Sequence, residues 1–410
     1  MPADAPVFIK AWESGFDFLL LIVAQQPLNN LIYVLMKKLF ISIVLLFAMT
    51  VTESQESYLV VGTYTGGKSK GIYIYKFNSS TGTAVLADSA VIENPSFVAV
   101  SPDQRFVYAA NETGSEQSDG GKVTAFAFDK KTGKLTQLNQ QSSGGNHPCY
   151  VAVDKTGKWV AVGNYSSGTL ALLPVRKDGS LAAAAKVIKH EGRSVNTQRQ
   201  EGPHVHCTAF SPDNKFLFVS DLGIDKIMAY AFNSKTGELT PAQVPYTELE
   251  AGSGPRHLAF HPSGKYVYLA EEMSGGVEVF NYLKQGQLEF VQHMSALPPD
   301  YSGPADGADI HVSSDGKFLY SSTRGQSNNI AIFSINPATG MLVNQAHQST
   351  LGKTPRNFNF DPTGNYLLAA NQNSDEIVIF KRDKTTGLLE DSGQRIAVGK
   401  PVCVQWISAK

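Results

Sequence analysis

The chain alternates between short apolar segments and polar turns in a pattern that recurs along most of its length. One recurring phrase is an apolar strand led by proline, then a polar turn, then a second apolar strand, as in Pro95 to Tyr108. Proline presets φ at the first central turn position, and the Asp or Gly that follows accepts the conformations that complete the turn. The phrase returns at Pro148 to Val162, Val205 to Val219, Pro255 to Leu269, Ala308 to Ser321 and Pro355 to Ala369.

A second phrase follows the first in each unit. It is an alternating strand, such as Val123 to Phe128 or Ile227 to Phe232, and most copies end in a Thr-Gly-x-Leu turn. Each unit therefore holds four short strands in roughly 46 to 57 residues, close to the length of a propeller blade, about 40–50 residues. A solenoid is the alternative repeat architecture, but four antiparallel strands per unit are typical of a blade.

The two ends of the repeat region complete each other. Tyr58 to Val61, Gly71 to Phe77 and Ala84 to Val91 match the second, third and fourth strands of a unit, with no first strand before them. Lys400 to Trp406 is a first strand with no successors. The pattern predicts an all-β, seven-bladed β-propeller in which the N-terminal strands pair with the C-terminal strand. Such pairing removes the open sheet edges that invite aggregation.

Composition excludes several classes of protein. A net charge of −1 and a charged fraction of 17% do not suit a nucleic-acid binder or a disordered tail. Cys149, Cys207 and Cys403 form no CxxC pair, which argues against a disulfide scaffold or zinc ribbon. No G-x-S-x-G or H-E-x-x-H motif occurs, so a serine-esterase or zincin mechanism has no support.

The N-terminal region has the pattern of a secretory signal. Met36 to Lys38 is a charged start, Leu39 to Met49 is apolar, and Thr50 to Ser57 is polar. We expect residues 1–35 to be a spurious or unstructured extension, residues 36–54 to be the signal peptide, and residues 55–410 to be the propeller domain.

This interpretation predicts export to the periplasm or the medium, with no membrane attachment after signal cleavage. A membrane anchor that starts near Phe16 is the alternative, but Gln25, Gln26, Asn29 and Asn30 interrupt it. If the apolar segment is not a working signal, the protein is cytoplasmic.

Several short segments resemble the lactonase-type propeller family, which includes the propeller-type 6-phosphogluconolactonase and the fungal carboxymuconate lactonizing enzyme. They are Val61 to Thr65, Glu201 to His206, Ser220 to Gly223, Gly254 to His257 and Thr323 to Gly325. The resemblance extends over about residues 58–407. It implies a carboxylic-ester hydrolase that opens a sugar-acid lactone without a metal or other cofactor, and a small anionic lactone as the binding partner.

First strands line the central channel of a propeller, so polar residues on them are candidate ligand contacts. Aligning the repeats places His206, Arg256 and Arg356 at the register where other blades carry Ser96, Cys149 and Val402. An unpaired buried cation is costly, on the order of several kcal/mol, and a guanidinium suits a carboxylate or phosphate. The register therefore predicts an anionic ligand. The alternative is that these cations pair with inward carboxylates such as Glu272.

Strand ends near the channel mouth supply further candidates. Glu272 follows the second strand of the Arg256 blade, and its Glu-Met-Ser context matches the acidic residue of the family pattern. A carboxylate beside arginines is held ionised and can act as a general base on water. Arg324 stands at the matching strand end one blade on, and we assign the equivalent place in the His206 blade to Asp221. Asp221 could instead cap the turn that follows it.

The histidines raise the question of a metal. His204 and His206 are two apart and point the same way on a regular strand, and His257 and His311 could join them. No carboxylate partner stands at a fixed spacing, and the resemblance implies metal-free catalysis. We therefore predict His206, Arg256, Glu272 and Arg324 as catalytic, and His204, Arg356, Asp221 and His311 as substrate-binding. The insertion Lys189 to Gly202, which carries Arg199 and Glu201, is expected to fold over the channel entrance.

Three functions remain open from the sequence. The first is a lactonase in which arginines hold the anionic group while Glu272 or His206 activates water. The second is a cycloisomerase acting on a dicarboxylate, and the third is a non-catalytic binding platform. Inner strands rich in His and Arg favour an enzyme. Because each blade satisfies its own edges, we expect a monomer.

Overall fold

Antiparallel β-strands make up nearly all of the regular structure. The computed structural model describes residues 56–115 and 120–409, which form seven four-stranded sheets. The proposed signal peptide and the extension before it lie outside the described residues. Within the described part of the chain, no helix has the length and apolarity needed to cross a membrane.

The strands follow one another with short turns. The first fourteen are β1 (Glu56–Thr63), β2 (Gly71–Asn78), β3 (Thr83–Val91), β4 (Pro95–Val100), β5 (Phe106–Asn111), β6 (Lys122–Asp129), β7 (Lys134–Ser142), β8 (Pro148–Val153), β9 (Trp159–Asn164), β10 (Thr169–Pro174), β11 (Lys186–Lys189), β12 (Val205–Phe210), β13 (Phe216–Asp221) and β14 (Lys226–Asn233). The others are β15 (Glu238–Glu248), β16 (Pro255–Phe260), β17 (Tyr266–Glu271), β18 (Gly276–Tyr282), β19 (Leu288–Ser295), β20 (Gly307–Val312), β21 (Phe318–Thr323), β22 (Asn329–Ile335), β23 (Leu342–Ser349), β24 (Pro355–Phe360), β25 (Tyr366–Asn371), β26 (Glu376–Arg382), β27 (Leu389–Ala397) and β28 (Pro401–Ser408). Short 3-10 helices span Leu222–Ile224, Lys284–Gly286 and Gln372–Ser374.

Each sheet is one blade of a seven-bladed β-propeller. Blades 1 to 6 each use four consecutive strands, beginning with β4, β8, β12, β16, β20 and β24. The first strand of each blade contacts the first strand of the next, so these inner strands form the ring around the channel. The architecture predicted from the repeats is confirmed.

Blade 7 joins the two ends of the propeller. Its strand order is β28-β1-β2-β3, and β28 pairs antiparallel with β1. The predicted closure is therefore confirmed. Backbone hydrogen bonds between distant parts of the chain replace two open sheet edges.

Six of the seven inner strands, all except that of blade 5, have a β-bulge at their second residue. In blade 4, Pro255 pairs with Glu271 and His257 pairs with Ala270, which leaves Arg256 as the extra residue. The same shift occurs in blades 1, 2, 3 and 6, where the extra residues are Ser96, Cys149, His206 and Arg356. A bulge redirects the side chain of its extra residue and often lies beside an active site.

Neighbouring blades are joined by apolar packing and by buried tyrosine hydroxyls. Tyr268 in β17 is fully buried, and its hydroxyl donates to the carbonyl oxygen of Gly340 in the next blade at 3.0 Å. Gly340 belongs to a Thr-Gly turn and has φ +73°, and a Cβ atom there would meet the ring of Tyr266. The turn motif of one blade is therefore fitted to the second strand of its neighbour.

Candidate active site

A cavity of about 210 Å³ opens at one end of the channel. Three of the residues that line it are bulge residues of inner strands: Cys149, His206 and Arg356. Five others directly follow the second strand of their blade: Tyr64, Glu112, Tyr165, Glu272 and Arg324. The ninth lining residue, Arg199, comes from the insertion between blades 2 and 3. Residues far apart in sequence meet here because equivalent positions of the blades surround one axis.

Glu272 is the charged centre of the site. Its Oε2 lies 2.9 Å from Nε of Arg256 and 2.9 Å from an Nη of Arg324. Its Oε1 accepts a hydrogen bond of 2.5 Å from Arg199. Burial by itself raises the pKa of this carboxyl, but Arg324, Arg256, His206 and Arg199 together hold the pKa well below its usual value. Glu272 is therefore ionised, and it is a weak base while all three arginines contact it.

Arg256 lies behind Glu272 and does not line the cavity. Its side chain is 1% exposed, and one Nη donates to the carbonyl oxygen of Ala308 at 2.6 Å and to Nε2 of His257 at 3.1 Å. His257 in turn places Nδ1 2.7 Å from Asp309. The guanidinium of Arg256 thus donates its hydrogen bonds to protein groups, and its contact with Glu272 orients that carboxylate. We expected Arg256 to face the ligand, but its guanidinium is held by Glu272, by His257 and by the carbonyl oxygen of Ala308 in the next blade.

Arg324 lines the cavity and has a second carboxylate partner. Its Nη2 lies 2.6 Å from Asp306 and 3.2 Å from the carbonyl oxygen of Gly307. Its Nε is buried and has no hydrogen-bond partner among the described residues. A buried donor without a partner is costly unless a ligand satisfies it.

Arg356 is on another wall of the cavity. Its guanidinium stacks over the ring of Tyr64 at 5.4 Å, and within residues 56–115 and 120–409 it has no carboxylate partner in an ion pair. The Tyr64 hydroxyl donates to Glu112 at 2.7 Å, which fixes the ring beneath the cation. Arg356 is therefore a positive charge available to a ligand.

His206 is a neutral imidazole beside the carboxylate. Burial, followed by the charges of Arg256 and His257, lowers the pKa of His206 well below its usual value. Its Nε2 lies 3.8 Å from Oε2 of Glu272. Its Nδ1 is buried and has no hydrogen-bond partner in the described part of the chain. A neutral imidazole in this place can accept a proton from a ligand or from water.

His204 and His311 are not among the residues that line the cavity. His204 precedes β12 and stacks on the Tyr165 ring at 4.5 Å, whereas His206 meets that ring edge-on at 5.7 Å. The bulge at His206 interrupts the strand alternation from which we expected both side chains to point the same way. His311 lies further along β20 and places Nε2 2.9 Å from Asp309.

The assignment of Asp221 to the same place as Arg324 was wrong by one residue. Asp221 is the last residue of β13, as Thr323 is of β21, so Leu222 is the equivalent of Arg324. Because successive strand residues point to opposite faces, one residue changes the direction of the side chain. Asp221 is fully buried and caps the next helix by accepting from the Gly223 amide at 3.1 Å.

The sequence analysis missed Tyr64, Glu112 and Tyr165. Each directly follows the second strand of its blade, as Glu272 and Arg324 do. Extending the alignment of the repeats from those two positions to all blades would have identified them. Among the described residues, no group of three or more His, Cys, Asp or Glu has an arrangement that could hold a metal ion.

Residues 58–406 match the protein family described as "Lactonase, 7-bladed beta-propeller". The chain belongs to this family. It is 38% identical over 352 residues to the 6-phosphogluconolactonase of Bacillus subtilis, covering 85% of this chain and 97% of that protein. The resemblance predicted from five short segments, and with it the assignment to the lactone-hydrolysing carboxylic-ester hydrolases, is confirmed.

Solved structures agree with the family assignment. A putative 6-phosphogluconolactonase of Bacteroides uniformis is 44% identical with a TM-score of 0.82, covering 86% of this chain and 100% of that chain. The periplasmic gluconolactonase of Pseudomonas aeruginosa is 35% identical with a TM-score of 0.82, covering 87% and 100%. This lactonase therefore shares its whole propeller with them.

Proposed function

We propose that the protein hydrolyses the lactone of an acidic sugar, with 6-phosphogluconolactone as the reference substrate. The observation that carries the proposal is a cavity of about 210 Å³ in which an ionised Glu272 faces arginines, while Arg356 forms no ion pair with any carboxylate of the described residues. The names of the relatives in Bacillus subtilis and Bacteroides uniformis support the choice of reference substrate.

Arg356 is the proposed contact for the anionic substituent of the substrate. A guanidinium presents paired donors that match a carboxylate or a phosphate, and Tyr64 holds this one in place from below. Glu112 and Glu272 act on Arg356 only through longer-range charge interactions, and Arg356 forms no ion pair with a carboxylate among the described residues. An anion can therefore contact its guanidinium directly.

Arg324 is the proposed electrophile for the lactone carbonyl. Its Nε, which has no partner among the described residues, is a donor for the oxygen that becomes negative in the transition state. The oxygen of a water molecule forms a bond to the carbonyl carbon, and the ring C–O bond then breaks. The ring oxygen takes up one proton of that water and becomes a hydroxyl group. The other proton of the water is released when the carboxylic acid of the product ionises to a carboxylate.

Glu272 and His206 are the two candidates for the base that takes the proton from water. Both line the cavity, Glu272 is ionised and His206 is neutral, so each has a lone pair for a proton. General-base assistance contributes about 10²–10⁴-fold, which is useful for an ester as reactive as a lactone. We favour Glu272, because its ion pairs with Arg256 and Arg324 orient its carboxylate towards the cavity.

Export is a further part of the proposal. The segment from residue 36 to residue 54 has the pattern of a signal peptide, and the Pseudomonas aeruginosa neighbour is named a periplasmic protein. A phosphorylated sugar lactone is ordinarily found in the cytosol, so an exported enzyme would use an unphosphorylated or differently charged acidic lactone.

The test is hydrolysis of 6-phosphogluconolactone and of gluconolactone by the purified protein, beside the Glu272→Gln and His206→Asn variants. We expect loss of lactone above the spontaneous rate, and a loss of activity of about 10²–10⁴-fold in the variant that lacks the base. No acceleration with either lactone would refute the proposed function. Equal activity of Glu272→Gln and the wild type would transfer the role of base to His206.

A further inference from the structure

The insertion between blades 2 and 3 is held at both ends by buried side chains. We call residues 189–202 the strap. At one end, the buried His190 places Nδ1 2.7 Å from Asp221 and Nε2 3.0 Å from the hydroxyl of Tyr230. At the other end, the fully buried Gln200 donates to the carbonyl oxygen of Leu222 at 2.9 Å. Asp221 is thus an anchor of the strap as well as a helix cap.

Arg199 is the strap residue that reaches into the cavity. It is next to the anchor Gln200, and its Nη2 lies 2.5 Å from Oε1 of Glu272 and 3.3 Å from the hydroxyl of Tyr165. Its side chain is 45% exposed, whereas that of Arg256 is 1% exposed. An ion pair that is open to water is much weaker than a buried one, because solvent competes for both groups.

The two oxygens of Glu272 therefore differ. Oε2 is held by Arg256 and Arg324, which are both buried. Oε1 is held by the half-exposed Arg199. If Arg199 moves away, the other two arginines still fix the direction of the carboxylate, and Oε1 becomes free to accept a proton.

We infer that Arg199 is exchanged between Glu272 and the substrate, so that an anionic lactone releases its own catalytic base. The negative group of the substrate draws Arg199 away from Oε1 of Glu272. Oε1 then accepts a proton from the attacking water, while Arg256 and Arg324 keep the carboxylate in place. This inference rests on the proposed function and makes Arg199 the residue that distinguishes charged from neutral lactones.

The geometry favours exchange over a fixed role. A ligand shifts an equilibrium only as far as it binds one state better than the other, and an anion in the cavity that Arg199 lines gains direct contact with the guanidinium when the arginine leaves Oε1 of Glu272. The strap anchors keep the backbone of residue 199 in place, so that a side-chain rotation is sufficient. A neutral lactone offers Arg199 no charge and leaves Oε1 of Glu272 occupied.

The kinetic test compares Arg199→Ala with Arg193→Ala, an exposed arginine of the same strap that does not line the cavity. We expect Arg199→Ala to lower kcat/KM for 6-phosphogluconolactone by about 10- to 100-fold, the loss of one charge-assisted contact. The same variant should increase the turnover of neutral gluconolactone, because Oε1 is free from the start. Arg193→Ala should change neither reaction.

Opposite effects on the two lactones support the exchange, and an equal decrease for both overturns it.

If the wild type hydrolyses neither lactone, the proposed function fails, and the exchange is tested separately by calorimetric binding of 6-phosphogluconate. Glu272→Gln should then bind this anion more tightly than the wild type because it releases Arg199. That gain in affinity should be absent when Glu272→Gln/Arg199→Ala is compared with Arg199→Ala. A gain that persists in the double variant would be purely electrostatic and would contradict the exchange.

Discussion

Replacing Glu272 by Gln keeps the size of the side chain and removes its charge. Arg324 retains Asp306 at 2.6 Å, but the remaining acceptors of Arg256 are the uncharged Ala308 carbonyl and His257. Arg256 is 1% exposed, so the variant leaves a buried cation without a counter-charge. Breaking such a pair from one side costs about 3–5 kcal/mol. We expect the free energy of unfolding to fall by that amount.

The pH dependence of this loss follows from the lowered pKa of Glu272. A carboxyl whose folded-state pKa is depressed contributes stability above its unfolded pKa, near the ordinary value of 4.5. That contribution is lost as the pH falls through the folded-state pKa. The difference between wild type and Glu272→Gln should therefore be constant above about pH 5.5 and decrease in stronger acid.

A double-mutant cycle isolates the interaction between Glu272 and Arg256. Arg256→Met removes the buried cation with little change in side-chain length. Because Glu272→Gln/Arg256→Met leaves no charge unpaired at this contact, it should be less destabilised than the sum of the single variants by about 0.5–3 kcal/mol. Urea unfolding at pH 7, followed by tryptophan fluorescence, measures all four proteins, and an unchanged m-value shows that the folded states are comparable.

Additive losses would refute the view that Arg256 and Glu272 are a coupled buried pair. Asp391→Asn is the matched control, because the Asp391–Arg395 pair has a similar contact distance of 2.7 Å but is 40% and 31% exposed. Its loss should stay below about 1 kcal/mol. Activity should not return in the double variant even where stability does, because the proposed base is absent from it.

Three further predictions concern other parts of the propeller. Burial and the neighbouring Glu271 raise the pKa of Glu278 to about 8, so the stability from its protonated form is lost as the pH rises towards that value. The melting temperature of the wild type should therefore fall relative to that of Glu278→Gln as the pH rises from 6 to 9. A difference between the two melting temperatures that does not change with pH would contradict this. Tyr268→Phe removes the hydrogen bond to Gly340 and should cost about 1 kcal/mol in urea unfolding, with kcat unchanged. Arg356→Ala should raise KM for an anionic lactone by about 10- to 100-fold and leave the urea midpoint near that of the wild type, since the variant breaks no ion pair with a carboxylate of the described residues; a large fall in the midpoint would show a structural role.

The position of Asp221 shows where prediction from repeats reaches its limit. Repeats align strands well, but the last residue of a strand is uncertain by one or two positions. One position was enough to exchange Leu222 for Asp221 as the equivalent of Arg324. His206, Arg256 and Arg356 were aligned correctly because each is the second residue of its inner strand, where the register shift falls in all three blades.

The sequence by itself determined the number of blades, the closure by β28 and the register that carries His206, Arg256 and Arg356. These features depend on apolar alternation and on turn residues, which are local and recur in every blade. The tertiary structure alone decided that Arg256 supports Glu272 from behind, that Arg356 has no carboxylate partner among the described residues, and that Arg199 reaches Oε1 of Glu272. Those facts depend on distances and burial between side chains of different blades, and charge interactions vary with both.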